Sequence, residues 1–133
     1  MKATKWVLAG AVALMGCTAS AEMRASDEAH DARELAKELE GRTAGKPVDC
    51  ISASSVQGPT MIGKNIVLYR QGGQTVWRND LVAACPAMGF GNTMVIELHG
   101  GQICRNDMFR VIEPGSSIPS GYCRLGKFTP YRK

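Results

Sequence analysis

Between residues 65 and 108 the chain alternates apolar and polar positions, and it does so twice. Gly72-Gly73-Gln74 recurs as Gly100-Gly101-Gln102, and Arg78-Asn79-Asp80 recurs as Arg105-Asn106-Asp107, with one deletion at Thr75. Each copy has the pattern of strand, Gly-Gly turn, strand and polar corner. In the first copy a two-residue Gly72-Gly73 turn sets Arg70 opposite Thr75, Leu68 opposite Trp77 and Ile66 opposite Asn79. Ile66, Leu68 and Trp77 then share one face and are the candidate core. Val67, Tyr69 and Val76 fall on the other, so this hairpin is covered on both sides or belongs to a closed barrel. In the second copy the same turn sets Leu98 opposite Ile103 and Glu97 opposite Cys104, which takes the place of Trp77. The matching stretch is short, and chance similarity is the reading favoured over a true internal duplication.

Shorter apolar runs fill the rest of the chain. Residues 48–52 form a first strand, ended by Gln57-Gly58-Pro59. Residues 81–90 form a loop around Cys85-Pro86. Residues 109–112 form a strand stopped by Pro114-Gly115, and residues 122–129 a last short strand. The tail, 127–133, mixes basic and aromatic residues and has the character of a solvated terminus able to touch an anionic surface. Upstream, Ala29, Ala32, Leu35, Ala36 and Leu39 repeat at helical spacing between 22 and 41. Ser26 or Asp27 can cap the start, and Gly41 stands at the end. The fold class is therefore mostly β: a small disulfide-stapled antiparallel barrel or sandwich over 47–133, preceded by one short N-terminal helix within a tether over 17–46. Pro47 marks the boundary.

The first residues have a different character. Lys2 and Lys5 precede a ten-residue apolar run from Trp6 to Met15. As a helix that run reaches about 15 Å, half of a hydrocarbon core of about 30 Å, so it has the length of a secretory signal and not of a membrane span. Leu14-Met15-Gly16-Cys17 resembles the lipobox of bacterial lipoproteins, which implies a signal over 1–16 and lipidation of Cys17. Ala19-Ser20-Ala21 fits the alternative, cleavage after residue 21. If the lipobox operates, Thr18, which is not Asp, implies an outer-membrane lipoprotein facing the periplasm; with the other site the chain is soluble in the periplasm or secreted. Charge is uneven beyond the leader: 22–46 carries seven acidic and five basic residues, 47–133 five acidic and nine basic. A basic exported domain is steered to an envelope protein or an anionic polymer, and nucleic acid is a poor partner in that compartment.

Five cysteines divide into Cys17 and an even set, Cys50, Cys85, Cys104 and Cys123. No closely spaced C-x2-C pair is present, so two disulfides outweigh a zinc site and no metal or cofactor is called for. Of the three pairings, Cys50 with Cys123 ties the domain ends and Cys85 with Cys104 holds the Cys-Pro loop to the second hairpin; these are the favoured ones. His99 is the sole histidine of the domain. With Ser52, Ser116 or Ser117 and Asp80 or Asp107 it is what a Ser-His-Asp mechanism would have to use, yet no G-x-S-x-G elbow occurs and a turn-edge histidine is ordinarily structural. Asp80 and Asp107, each after Arg-Asn, are better suited to hydrogen-bonded corners than to paired acid and base. No residue is assigned as catalytic.

Asp49-Cys50-Ile51, Cys85-Pro86, the run 103–107 and the run 123–128 resemble the marker positions of an uncharacterised proteobacterial family of small exported proteins, often with lipoprotein-type signals. The resemblance implies export and disulfides and no activity. The expected function is a binding or interaction accessory module of the envelope, anchored to the membrane through its lipid. Tyr69, Arg78 and Arg110 are the candidate contact residues. A small envelope enzyme, hydrolytic or thiol-dependent, and a purely structural protein are the alternatives.

Overall fold

A computed structural model describes residues 18–133. The leader 1–16 and Cys17 lie outside the described residues. In chain order the elements are helix α1 (Thr18–Glu38) and strands β1 (Thr43–Ala44), β2 (Cys50–Ser52), β3 (Gln57–Ile62), β4 (Ile66–Gln71), β5 (Thr75–Asp80), β6 (Thr93–Ile96), β7 (Gln102–Cys104), β8 (Met108–Ile112), β9 (Cys123–Arg124) and β10 (Phe128–Arg132). They form a five-stranded sheet in the order β1-β10-β5-β4-β3, a pair β2-β7, and a three-stranded sheet β6-β8-β9, all antiparallel. Among the described residues no sheet closes into a barrel. The smaller sheets lie against the inner face of the larger one, and α1 lies on its outer face. The mostly β class and the sandwich alternative hold.

The β4-β5 hairpin sets this layering, and its turn has three residues, 72–74, where two were expected. Gln71 pairs with Thr75, Tyr69 with Trp77 and Leu68 with Arg78. Gly72 takes a left-handed φ of 58°, which a Cβ would resist. Because side chains alternate with a period of two, the one-residue change sends Trp77 to the opposite face from that expected. Val67, Tyr69 and Trp77 point inward, where Trp77 Nε1 donates to Gln71 Oε1 at 2.7 Å and the Tyr69 ring lies 6.2 Å from that of Phe128. Ile66, Leu68 and Val76 point outward against Leu35 and Leu39. Both faces are covered, as the run of apolar residues in β4 requires.

The helix is longer than expected, with Ser26 and Asp27 inside it and not at its start, and it is more than a spacer. Leu35 and Leu39 close the outer core, Glu38 pairs with Arg70, and Arg42 donates to the Gln74 carbonyl at 2.6 Å across the hairpin turn. Residues 20–30 are exposed, as are Ala32 and Ala36 of the apolar stripe. The folded unit begins before Pro47, since Thr43 and Ala44 pair with Arg132 and Tyr131.

Three other expectations are corrected. The second Gly-Gly copy is not a second hairpin of strands. Gly100 and Gly101, with φ of 68° and 74°, make the tight turn and His99 bridges Gln102, but the arms then part: β6 pairs with β8 and β7 with β2. Strand β3 runs through the Gln57-Gly58-Pro59 break, which becomes a bulge with a cis Gly58-Pro59 bond at a sheet edge. The tail is a sheet strand and no solvated terminus: β10 inserts between β1 and β5, burying Phe128 and Pro130.

The disulfides also differ from the favoured pairing. They join Cys50 to Cys104 and Cys85 to Cys123, and not Cys50 to Cys123 and Cys85 to Cys104. The cause is the topology of the second copy. With β7 against β2, Cys50 and Cys104 are direct cross-strand neighbours, while β9 beside β8 brings Cys123 to the Cys85 loop.

Candidate functional site

The sheet β6-β8-β9 has two unlike faces. Met94, Ile96, Phe109, Val111 and Cys123 turn into the main core. On the other face alternate residues of the same strands remain outside: Val95, Met108, Arg110 and Ile112, joined by Tyr122 just before β9. These floor a cavity of about 390 Å³ with Glu97, His99 and Asp107 among its lining residues. Val95, Met108 and Tyr122 are exposed large apolar residues. The cavity thus combines exposed apolar side chains and one guanidinium with the carboxylates of Glu97 and Asp107.

Arg110 occupies its centre. It pairs in register with Val95, and its guanidinium carbon stands 4.5 Å from the centroid of the Tyr122 ring. That stacking orients the plane and holds the positive charge over the ring's negative face. Its Nε is buried and has no hydrogen-bond partner. A buried donor left unmade costs about 1–3 kcal/mol, which gives the guanidinium reason to shift toward an acceptor brought from outside. Among the described residues Arg110 forms no ion pair, whereas Arg70 pairs with Glu38, Arg78 with Asp80 and Arg105 with Asp49.

The other expected contact residues do not join it. Tyr69 is 3% exposed and belongs to the core. Arg78 lies on the helix side of the large sheet, where Asp80 accepts from its Nε at 2.9 Å and from its Nη2 at 2.6 Å; those hydrogen bonds raise its already high pKa and fix it as cation. His99 lines the Arg110 cavity, but Ser52, Ser116 and Ser117 do not, so no Ser-His-Asp set is assembled there. Asp107 makes the hydrogen-bonded corner expected of it, its Oδ2 accepting from the Cys104 amide at 2.8 Å, next to Asn106 at φ 71°. Asp80 instead serves Arg78. All four domain cysteines are oxidised. Sequence reasoning missed Tyr122 as the partner of Arg110; the pairing of β8 with β9 is what makes them neighbours. The available signal was Met108-Phe-Arg-Val-Ile112, in which Arg110 is the one polar residue on a face flanked by apolar ones.

A second cavity, about 500 Å³, lies over the Cys85–Cys123 bridge and is lined mainly by small or apolar groups such as Val82, Ala83, Ala84 and Pro86. It offers shape with little chemistry. Among the described residues no cluster of His, Cys, Asp and Glu is placed to hold a metal ion, and no helix is long and apolar enough to cross a membrane.

Burial pushes the Tyr69 hydroxyl up to about 12. Below about pH 10 folded and unfolded states both keep the proton; above it the unfolded state loses it first. Stability should then fall by about 1.4 kcal/mol per pH unit between about 10 and 12 on this account. Urea midpoints of the protein and of Tyr69→Phe across that window check it. The protein should lose stability relative to Tyr69→Phe as pH rises through that window, and a constant difference contradicts the assignment.

These features define a small, disulfide-linked, mostly β domain with a docked N-terminal helix and an open sheet face carrying one unpaired guanidinium. The chain belongs to the family of unknown function DUF6491, which matches residues 1–132. No curated protein matches it, and no solved structure does. Two disulfides in a domain of this size fit an oxidising compartment outside the cytoplasm.

Proposed function

We propose that this protein is an accessory binding module of the bacterial envelope, held at the outer membrane through a lipid on Cys17, and that the Arg110 face takes an anionic group of an envelope protein or polymer. The observation that carries the reading is the buried, unpartnered Nε of Arg110 within an exposed apolar sheet face. Arginine beside an aromatic ring in a desolvated setting is the usual anchor of an interface, and its planar fork matches a carboxylate or phosphate. The lipobox-like Leu14-Met15-Gly16-Cys17 supports the anchor.

The expected result is that Arg110→Ala lowers quantitative recovery of an envelope partner by about 30-fold or more, a loss typical of truncating a desolvated charge at an interface. Thermal stability should stay within a few degrees, because Arg110 makes no hydrogen bond inside the domain at Nε. Unchanged recovery sinks the proposal. The anchor is checked by intact mass of protein from native membranes: a chain that begins at Cys17 with a lipid-sized addition agrees with it, and one that begins at Glu22 does not.

A further inference from the structure

Among the described residues strand β6 has a partner on one side only. Ser120 engages both backbone groups of Val111: its amide donates to the Val111 carbonyl at 2.8 Å, and its Oγ accepts from the Val111 amide at 2.9 Å. Val111 thus turns its N–H and C=O toward the β9 side. In an antiparallel ladder neighbouring residues turn theirs to opposite sides, so Arg110 and Ile112 face β6, and their register partners Val95 and Thr93 face back. Met94 and Ile96 are left directing both backbone groups to the free edge. Among the described residues these four groups meet no hydrogen-bond partner.

That edge borders a cleft of about 360 Å³, whose far wall is the bulged start of β3. Val56, Pro59, Leu98 and Ile103 line it, and the Tyr69 side chain reaches it from the core. Tyr69 is 3% exposed, and the partner of its hydroxyl is Met94 Sδ at 3.9 Å, a weak acceptor. The cleft therefore combines apolar walls, one phenolic donor without an oxygen acceptor, and a strand edge that alternates N–H and C=O.

We infer that this cleft binds an extended apolar peptide segment of a partner protein, added as a further strand on the edge of β6, with one peptide carbonyl accepting from the Tyr69 hydroxyl. Only a peptide offers donors and acceptors in alternation at the spacing of the edge, and main-chain pairing of this kind is a general mode of peptide capture. An acyl chain would fill the apolar walls and leave the β6 carbonyls unmet. Strand β3 is bulged where Gly58 and Pro59 line the cleft. The site is separate from the Arg110 face and does not depend on that reading, although Val95 borders both.

The test uses the oxidised full chain and a blocked peptide of alternating valine and threonine, acetylated and amidated, with laurate as a second probe. Amide hydrogen exchange at Met94 and Ile96 should slow by about tenfold or more at saturating peptide, as expected where a free edge gains strand hydrogen bonds. Tyr69→Phe keeps the ring and should weaken peptide binding by about fivefold, the worth of one hydrogen bond. Leu98→Lys, at the exposed mouth of the cleft, should abolish it, and Arg110→Ala should leave it unchanged. Absence of protection at Met94 and Ile96 overturns the inference. So does an unaltered Kd in Tyr69→Phe, or binding of laurate in place of peptide.

Discussion

Gly126→Ala is expected to prevent the domain from folding. A Cβ at this position would run into the backbone carbonyl oxygen of Asp80, and neither chain can retreat. The reason is the clamp beside it. Asn79 is fully buried, its Nδ2 donates to the Gly126 carbonyl at 2.8 Å, and its Oδ1 accepts from the Gly126 amide at 2.9 Å. One side-chain amide thereby satisfies both backbone groups of a peptide segment between β9 and β10, in the place a strand would otherwise occupy. Removing it with Asn79→Ala leaves two buried backbone groups unmet, at about 1–3 kcal/mol each, against a total stability of about 5–15 kcal/mol for a domain. Circular dichroism and proteolysis of purified oxidised protein would show Gly126→Ala unfolded and Asn79→Ala folded with a midpoint lowered by tens of degrees. A Gly126→Ala variant of unchanged stability would contradict the clamp.

The second large effect follows from the disulfides. Cys50–Cys104 and Cys85–Cys123 close loops of 54 and 38 residues that interleave along the chain. From loop-closure entropy each bridge stabilises by about 4 kcal/mol. Losing either should remove a large part of the stability of a domain of this size. Cys85 is also part of the main core, beside Met88 and Leu125. The Cys85→Ala, Cys123→Ala pair is therefore expected to fall further than Cys50→Ala, Cys104→Ala, whose sulfurs bridge two short strands nearer the surface. Urea unfolding under oxidising conditions compares the two. Peptide mapping without reduction checks the pairing itself: fragments linking Cys50 with Cys123 would refute it.

The residues nearest the candidate sites show where sequence reasoning stopped. Arg110 was visible as a polar position on an otherwise apolar face, since period-two alternation needs only neighbours in the chain. Tyr122, which holds it, was not, because it comes 12 positions later and meets Arg110 only through the pairing of β8 with β9. A two-residue turn sets Trp77 beside Leu68 and leaves Tyr69 on the outer face; the third turn residue, hidden by two glycines that suit a shorter loop, sets Trp77 opposite Tyr69 and turns both inward.

By itself the sequence determined the local features: a helix ended by Gly41, the tight turn at Gly100-Gly101, strands in 48–52, 66–71, 75–80 and 109–112, the Cys-Pro loop, and an even set of domain cysteines consistent with two bridges. Each depends on periodicity, on a glycine's freedom or on composition, and these act over a few residues. Tertiary structure alone decided that the helix docks through Leu35 and Leu39, that two similar runs take different partners, which cysteines join, and that β10 inserts beside β5. Those choices depend on which long-range pairing buries the most apolar surface while satisfying the backbone. Residues 75–80 and 128–132 are far apart in the chain, and no local pattern records that Phe128 will lie opposite Asn79.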